Sequence, residues 1–449
     1  MRIKLPNMRA NLEGPENRLY AEPKPSPDET SFQVDNVSEQ YYNSPYYEAH
    51  KDQVQPIPDA RAGAPANLEL QDFVPQEVWD AINAAGQITF HAVGDTGAAK
   101  VNRSQSAATA IAHEASVADA MAADVQSGGV SGPAFFFNLG DVVYNFGEAQ
   151  YYYDQFYEPF RDYDRPIFAI PGNHDGMVFG ATSATPQVPT LEAFLRNFCA
   201  DPDGAGSSPD AGGLVRTVMT QPAVYFTLDA PLVSIIGLYS NVLDSGAGVI
   251  SSQNGHFPAL NGDVQLKFLT SELKRLKADR QAGKRAIILA VHHPPASVDA
   301  KHGGSSGLEQ DMDSCCKAAG LWPDVVLSGH AHLYQRFTRV VGGKQVPYVV
   351  SGSGGFAATP PQQSAPAAPY TIGDTTLEVD PIVEFGYLTI TTDAKTLSIT
   401  FKTAVQGEVT VRDSVTVDLT QGRVTSGTNV PGGGPTKPKA APVRRGKKK

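Results

Sequence analysis

A mixed α/β fold (α+β in its later part) is what the sequence predicts, and three observations predict it. Between residues 88 and 329 short apolar runs alternate with helical patterns, as in a largely parallel sheet. From residue 387 the pattern changes to period-two alternation around turns, which reads as antiparallel strands. No apolar run approaches the length of about 18 residues that a transmembrane helix needs, so a transmembrane helix is excluded.

Residues 1–67 contain nine prolines and few aliphatics, without helical or strand period, and are expected to be an extended or disordered arm. Its one sticky spot is the cluster Tyr41, Tyr42, Tyr46 and Tyr47, read as packing locally against its own protein. The main folded domain is expected over 68–420. In it ITFHAV (88–93) reads as a strand, 105–124 as an Ala-rich helix, and PAFFFNL (133–139) as a second strand. The aromatic segment 149–162 reads as a helix and PIFAI (166–170) as a third strand. Residues 176–222, rich in Gly, Ala, Ser, Pro and Asp, are expected to be a long loop insertion near the strand ends. VSIIGL (233–238), AIILAV (286–291) and PDVVLSG (323–329) read as further strands, with a helix over 261–283. YVVSGSGG (348–355) reads as another strand, and 387–403 and 407–419 as the antiparallel ones. Residues 421–449 turn to Gly, Pro and Thr and end in RRGKKK, so a disordered basic tail is expected.

The formal charge is −11, yet the last 29 residues carry eight basic groups and no acid, which leaves −19 on residues 1–420. So acidic a body argues against a nucleic-acid-binding core. Three cysteines, two of them adjacent, require no oxidising compartment, and no apolar signal segment follows the first residues. The expected location is therefore cytoplasmic.

Histidine placement is the first functional clue. Six of the ten histidines, His174, His292, His293, His302, His330 and His332, fall at or shortly after the ends of strand-like runs. Loops converge at the carboxyl ends of parallel strands, and that is where sites form in α/β sheets. Asp95 and Asp141 obey the same placement. Five strand ends thus offer Asp95, Asp141 with Tyr144, Asn173 with His174, His292 with His293, and His330 with His332. Carboxylate, imidazole and amide oxygen donors suit divalent or trivalent transition metals rather than a thiolate zinc finger. Two carboxylates and at least three imidazoles exceed the needs of one ion, so a two-metal site is the better reading.

The blocks GDTG (94–97), GDVVY (140–144), GNHD (172–175), VHHPP (291–295) and GHAH (329–332) resemble, in order, the five signatures of the calcineurin-like metallophosphoesterases. The resemblance covers roughly residues 86–420 and is closest to the purple acid phosphatases. Many relatives carry a metal-binding His two residues after the first Asp, where this chain has Gly97; Tyr144, three residues after the second Asp, is the purple-acid-phosphatase alternative. The resemblance implies a four-layer αββα sandwich of two mixed sheets. It implies a first ion, Fe(III), on Asp95, Asp141, Tyr144 and His332. It implies a second, Fe, Zn or Mn, on the shared Asp141 with Asn173, His292 and His330. His292 is preferred to His293 because the family's ligand usually stands two residues before proline, although Pro295 permits His293 in the same frame. His174 and His302 match outer-sphere histidines that bind phosphate and protonate the leaving alkoxide. The activity implied is hydrolysis of a small phosphomonoester by in-line attack of a metal-bound hydroxide. A phosphodiesterase on the same site is the alternative. A non-catalytic binding module is the further one, although every expected position is filled.

Overall fold

The computed structural model describes residues 58, 61, 66–97, 107–144, 147, 149–176, 191–204, 206–214, 216–241 and 264–429. The first strands are β1 (Asn67–Glu69), β2 (Gln87–Val93), β3 (Phe136–Asn138), β4 (Ile167–Ala169), β5 (Phe226–Ala230) and β6 (Val233–Leu238). Next come β7 (Ala286–Val291), β8 (Val325–Ser328), β9 (Tyr334–Val341), β10 (Lys344–Ser351), β11 (Tyr370–Ile372) and β12 (Thr375–Leu377). The chain closes with β13 (Gly386–Asp393), β14 (Thr396–Val405), β15 (Glu408–Asp418) and β16 (Arg423–Asn429). Helices are α1 (Gln76–Ala85), α2 (Ala107–Gly128), the single turn α3 (Asn173–Gly176), α4 (Glu192–Phe198), α5 (Val264–Gln281) and α6 (Ser306–Ala319).

Two mixed sheets result. A seven-stranded sheet runs β16-β15-β14-β13-β2-β3-β4, and a nine-stranded sheet runs β1-β5-β6-β7-β8-β10-β9-β12-β11. Within them β2-β3-β4 and β6-β7-β8-β10 are parallel. Strands β3, β4, β6 and β7 are buried at every residue, which is why they read as continuous apolar runs. Strands β13 and β14 alternate in burial, as their period-two sequence requires.

The sheets pack face to face. A Cβ at Gly237 of β6 would lie 2.6 Å from Ile170 Cγ2 and 3.3 Å from Phe137 Cζ of the opposite sheet. The Phe137 and Phe226 rings meet across the same interface at 5.9 Å, and Tyr334 of β9 stacks on Phe401 of β14 at 4.1 Å. Outside the seven-stranded sheet lies α2, tied down by Asp124, whose carboxylate accepts from His91 of β2, Tyr387 of β13 and Lys402 of β14. Burial works to raise the Asp124 pKa, but the hydrogen bonds from His91 and Lys402 outweigh it and hold the group well below the usual carboxylate range. Helices α5 and α6 pack together outside the nine-stranded sheet, where Arg280 of α5 reaches the buried Asp324 ahead of β8. These are the four layers that the sequence and its resemblance lead one to expect. No helix among the described residues is long and apolar enough to cross a membrane.

Some expectations are corrected. The aromatic segment 149–162 is not an α-helix but a 3-10 turn, Ala149–Tyr151, followed by a π-helical turn, Tyr153–Tyr157. Tyr151, Tyr152, Phe156 and Tyr157 are all buried, and one face of a regular helix cannot bury so many neighbouring rings. The segment 176–222 is not all loop, because α4 within it packs Phe194 on Phe198 and Phe198 on Phe156. The ordered domain also runs past residue 420: β16 pairs antiparallel with β15, so a polar sequence becomes an edge strand through its neighbour's ladder. The Tyr41–Tyr47 cluster and residues 430–449 lie outside the described residues.

One charged tie joins the two sheets beside Tyr334. Arg336 of β9 donates to Asp413 of β15 through Nε (2.6 Å) and Nη2 (3.1 Å), and Tyr334 Oη donates to the same carboxylate at 2.7 Å. Both ionic side chains are buried. Asp413→Ala strands the guanidinium and is expected to cost about 3–5 kcal/mol of unfolding free energy, read from urea midpoints. A loss under about 1 kcal/mol would show that water or another group satisfies Arg336 instead.

Candidate metal centre

The ends of β2, β3 and β4 in one sheet and of β7 and β8 in the other deliver the five motif blocks to one place. Asp95 and Asp141 follow β2 and β3, Asn173 and His174 open α3 after β4, His292 follows β7 directly, and His330 follows β8 after Gly329. The turns that present them are tight. Asp95, Asp141 and His330 adopt left-handed backbone (φ 58°, 55° and 67°), unusual for residues with a Cβ. Such strain costs of the order of 1–3 kcal/mol per residue and persists where the surrounding structure enforces it.

Asp141 is the pivot. Its Oδ1 accepts the His174 backbone N–H at 2.8 Å, and its Oδ2 lies 2.9 Å from Tyr144 Oη and 3.3 Å from His292 Nε2. A Cβ on Gly172 would collide with this carboxylate, so the GNHD block needs its glycine for close approach. Burial works to raise the Asp141 pKa, but His292 and His174 together hold the group well below the usual carboxylate range.

One group of donors gathers on the Asp95 side. Tyr144 Oη is 2.9 Å from Asp95 Oδ1 and 3.4 Å from His332 Nε2, and His332 Nε2 is 3.2 Å from Asp95 Oδ1. Tyr144 is fully buried, and burial, then the charges of Asp141 and Asp95, raise its phenol well above the ordinary value. Only a strong Lewis acid beside it would make it a phenolate. Gly97 and Tyr144 are two halves of one choice: a Cβ on Gly97 would lie 2.7 Å from Val142 O and 3.0 Å from the Tyr144 ring. A side chain at 97 and the tyrosine ring compete for the same space.

The second group gathers around Asn173. Its Oδ1 lies 3.1 Å from His292 Nε2 and 3.0 Å from His330 Nδ1. His292 donates through Nδ1 to the Leu139 carbonyl at 2.8 Å, which turns Nε2 toward the oxygens of Asp141 and Asn173. A lone pair facing two acceptor oxygens is repulsive unless positive charge sits among them. Accordingly, burial opposes protonation of His292, but the Asp141 carboxylate outweighs it and pushes the imidazole up to about 9. Burial first and then neighbouring imidazoles, His302 for His330 and His292 for His293, hold His330 and His293 well below the usual value. His330 Nε2 and Asn173 Nδ2 are buried without a hydrogen-bond partner. Asp141, His292 and His330 each offer a ligand atom within 4.8 Å of the others. These observations fit transition-metal ions bound through oxygen and nitrogen. The adjacent His293 has Nδ1 2.8 Å from Ser240 Oγ, and its ring lies 4.3 Å from that of His330.

His174 and His302 flank the donors. The His174 ring lies 4.3 Å from that of Tyr144, and the His302 ring lies 4.2 Å from His330 and 5.8 Å from His332. The His302 loop is fixed by Asp299, whose carboxylate accepts the backbone N–H groups of Lys301, His302 and Gly303 at 2.7–2.9 Å. Burial, then the charges of Lys301 and His332, push His302 down to about 3. The nine residues to which the resemblance gives a role thus sit around one centre.

Other contributors were not singled out from the sequence. Asp175 accepts N–H groups from Val142, Val143 and Gly172, bracing the second block against the third. Burial and the Asp141 charge push it up to about 7. Its place at the end of GNHD was the available signal. Asp299 carried the weaker signal of an acid three residues before a histidine. Phe356 lies with its ring 3.6 Å from that of Tyr144 and nearly parallel to it, and nothing in its local sequence marks it.

The family model for calcineurin-like phosphoesterases matches residues 88–334. Among solved structures, the chain is similar to GAP50, described as the anchor in the inner membrane complex of Plasmodium, at 16% identity over 72% of this chain and 88% of that one, with a TM-score of 0.46. It is similar to PhoD at 15% identity over 84% and 74% of the two chains, TM-score 0.43. A dimetal phosphatase from Danio rerio matches at 11% identity over 72% and 98%, TM-score 0.40. No curated protein sequence matches.

The packing at Gly172 yields a test. Gly172→Ala drives a methyl into the Asp141 carboxylate, so the variant is expected to fold yet retain metal at least about tenfold less tightly, measured by chelator competition. Unchanged retention would show that Asp141 is not the pivot of metal binding.

Proposed function

The chain belongs to the calcineurin-like phosphoesterase family, and from that membership we propose that it is a dinuclear phosphatase of the purple-acid-phosphatase kind, acting on phosphomonoesters. Hydrolysis of phosphoric ester bonds comes with the family; the branch, the ester class and the ions are the proposal. The observation that supports it is the pair of overlapping donor sets that have Asp141 in common. Asp95, Asp141, Tyr144 and His332 would hold the first ion, Fe(III) by virtue of the phenol. Asp141, Asn173, His292 and His330 would hold the second, Fe, Zn or Mn.

Ions in these positions supply Lewis acidity, which lowers the pKa of water and neutralises phosphoryl oxygens. The chain's own residues do the rest. His302, kept neutral by burial on a loop that Asp299 fixes, offers an imidazole N–H to a phosphoryl oxygen. His174, whose backbone is anchored to Asp141, donates a proton to the departing alkoxide as the bond from phosphorus to the ester oxygen breaks and one to the water oxygen forms. The buried Asp175 and Asp299 carboxylates hold the backbone that sets these distances.

Parallel assays with p-nitrophenyl phosphate and its bis ester test the ester class. The monoester is expected to give a kcat/KM at least about tenfold higher. The opposite ranking would move the enzyme to the phosphodiesterases and leave the metal positions as they are.

Tyr144 tests the branch. A phenolate donates charge into an empty ferric d orbital, so protein loaded with iron under air is expected to be coloured and Tyr144→Phe to be bleached. A visible spectrum with iron counted per chain reads the result. Colour unchanged in the variant would remove the tyrosine from the first position.

A further inference from the structure

Phe356 stands apart from the core of the molecule. The apolar side chains of both sheets form one continuous cluster, but Tyr144 and Phe356 form a separate cluster of two, with Ala357 packed beside it. Their rings stack at 3.6 Å with an interplanar angle of 2°. The Phe356 ring also meets His332 at 4.9 Å and 78°, close to a T-shaped contact. One phenylalanine therefore touches two side chains proposed to hold the first ion.

The backbone delivering Phe356 is built for that approach. Its N–H donates to the carbonyl of Asp95 at 3.1 Å, so the loop after β10 is tied directly to the first motif block. A Cβ on Gly354 would lie 2.5 Å from the Gly94 carbonyl oxygen, and one on Gly355 would lie 2.7 Å from Glu114 Cα. Both glycines are the only residues that let this loop settle against its neighbours. Phe356 itself is 7% exposed.

We propose that Phe356 is a positioning residue for the first metal position, fixing the ring plane of Tyr144, in which the phenol lone pairs lie, and the edge of His332 beside Asp95. The inference rests on the metal-centre reading above. The torsion that rotates a tyrosine ring about its own axis is soft, with broad wells. A parallel ring at van der Waals distance restricts it; the phenol oxygen lies on the rotation axis and stays in place, but its lone pairs lie in the ring plane, so the stacked ring fixes the direction in which they point. Groups that orient metal ligands from behind typically contribute 10- to 100-fold in affinity, about the effect expected here.

The test compares the full chain with Phe356→Leu, which keeps apolar bulk and removes the flat face, and with Phe356→Tyr, which restores the ring. Each protein is loaded with iron under air and, separately, with zinc, then challenged with excess chelator. Metal remaining per chain is followed with time, alongside the visible band and the far-ultraviolet circular dichroism. In Phe356→Leu one of two equivalents is expected to leave at least about tenfold faster, with the band shifted or weakened and the second equivalent released at the wild-type rate. Phe356→Tyr should return both readouts toward wild type. Should the leucine variant not fold, Phe356→Met takes its place. A variant that keeps both equivalents with an unchanged band overturns the positioning role while leaving the metal centre standing. Acceleration of both equivalents alike would mean general loosening and overturns it too. A wild type that binds fewer than two equivalents brings down the metal-centre reading, and this inference with it.

Discussion

The buried carboxylate of Asp141 is the constraint on which the remaining geometry depends. Its two oxygens are engaged by the His174 backbone, the Tyr144 phenol and the His292 imidazole, and its own carbonyl receives the Gly97 N–H. Its backbone is held in a left-handed conformation, and the facing residue has no side chain. Like-charged Asp95 lies on the far side of the same tyrosine oxygen. Two buried carboxylates about one phenol form an arrangement that needs compensating positive charge; His292 beside Asp141 is held protonated by it, whereas burial works against charge on His293, His302 and His330. The fold holds this unfavourable cluster because two stacked sheets and their helices bury enough apolar surface to carry it.

Much of the centre could be read from the chain because the elements that build it are of one kind. Each ligand block follows a largely buried strand that reads as an apolar run, and in four of the five blocks a Gly then precedes the first donor residue. ITFHAV before Asp95, PAFFFNL before Asp141 and AIILAV before His292 are of that type. The residues that went unread work through other means. Asp175 and Asp299 act by accepting backbone N–H groups, which any aspartate near a turn can do. Phe356 acts by stacking on a residue more than two hundred positions away, and nothing local encodes that.

The same distinction accounts for the fold. α6 escaped notice because its sequence, SGLEQDMDSCCKAA, mixes poor helix formers with good ones. Its ends are instead secured by the Ser305 cap and a left-handed Gly320. β16 has almost no apolar content and exists through its ladder with β15. The 149–157 segment has abundant apolar content, but buried rings at adjacent positions force the backbone off the regular helical path. In the last two cases long-range packing overrode local pattern.

The split origin of the motif blocks has a consequence for how the molecule assembles. Asp95, Asp141, Tyr144 and Asn173 come from the ends of one sheet, whereas His292, His330 and His332 come from the other. A partly folded chain containing either sheet alone therefore presents only part of the proposed ligand set, its oxygen ligands or its imidazole ligands, never both together. Any cation recognised by the full constellation discriminates between intermediates and the finished protein, and its binding free energy is released at the docking of the sheets. With the ions held as proposed, the centre would act as a kinetic latch on tertiary closure: dissociation of the ion would precede separation of the layers, and the lifetime of the native state would become a function of metal concentration.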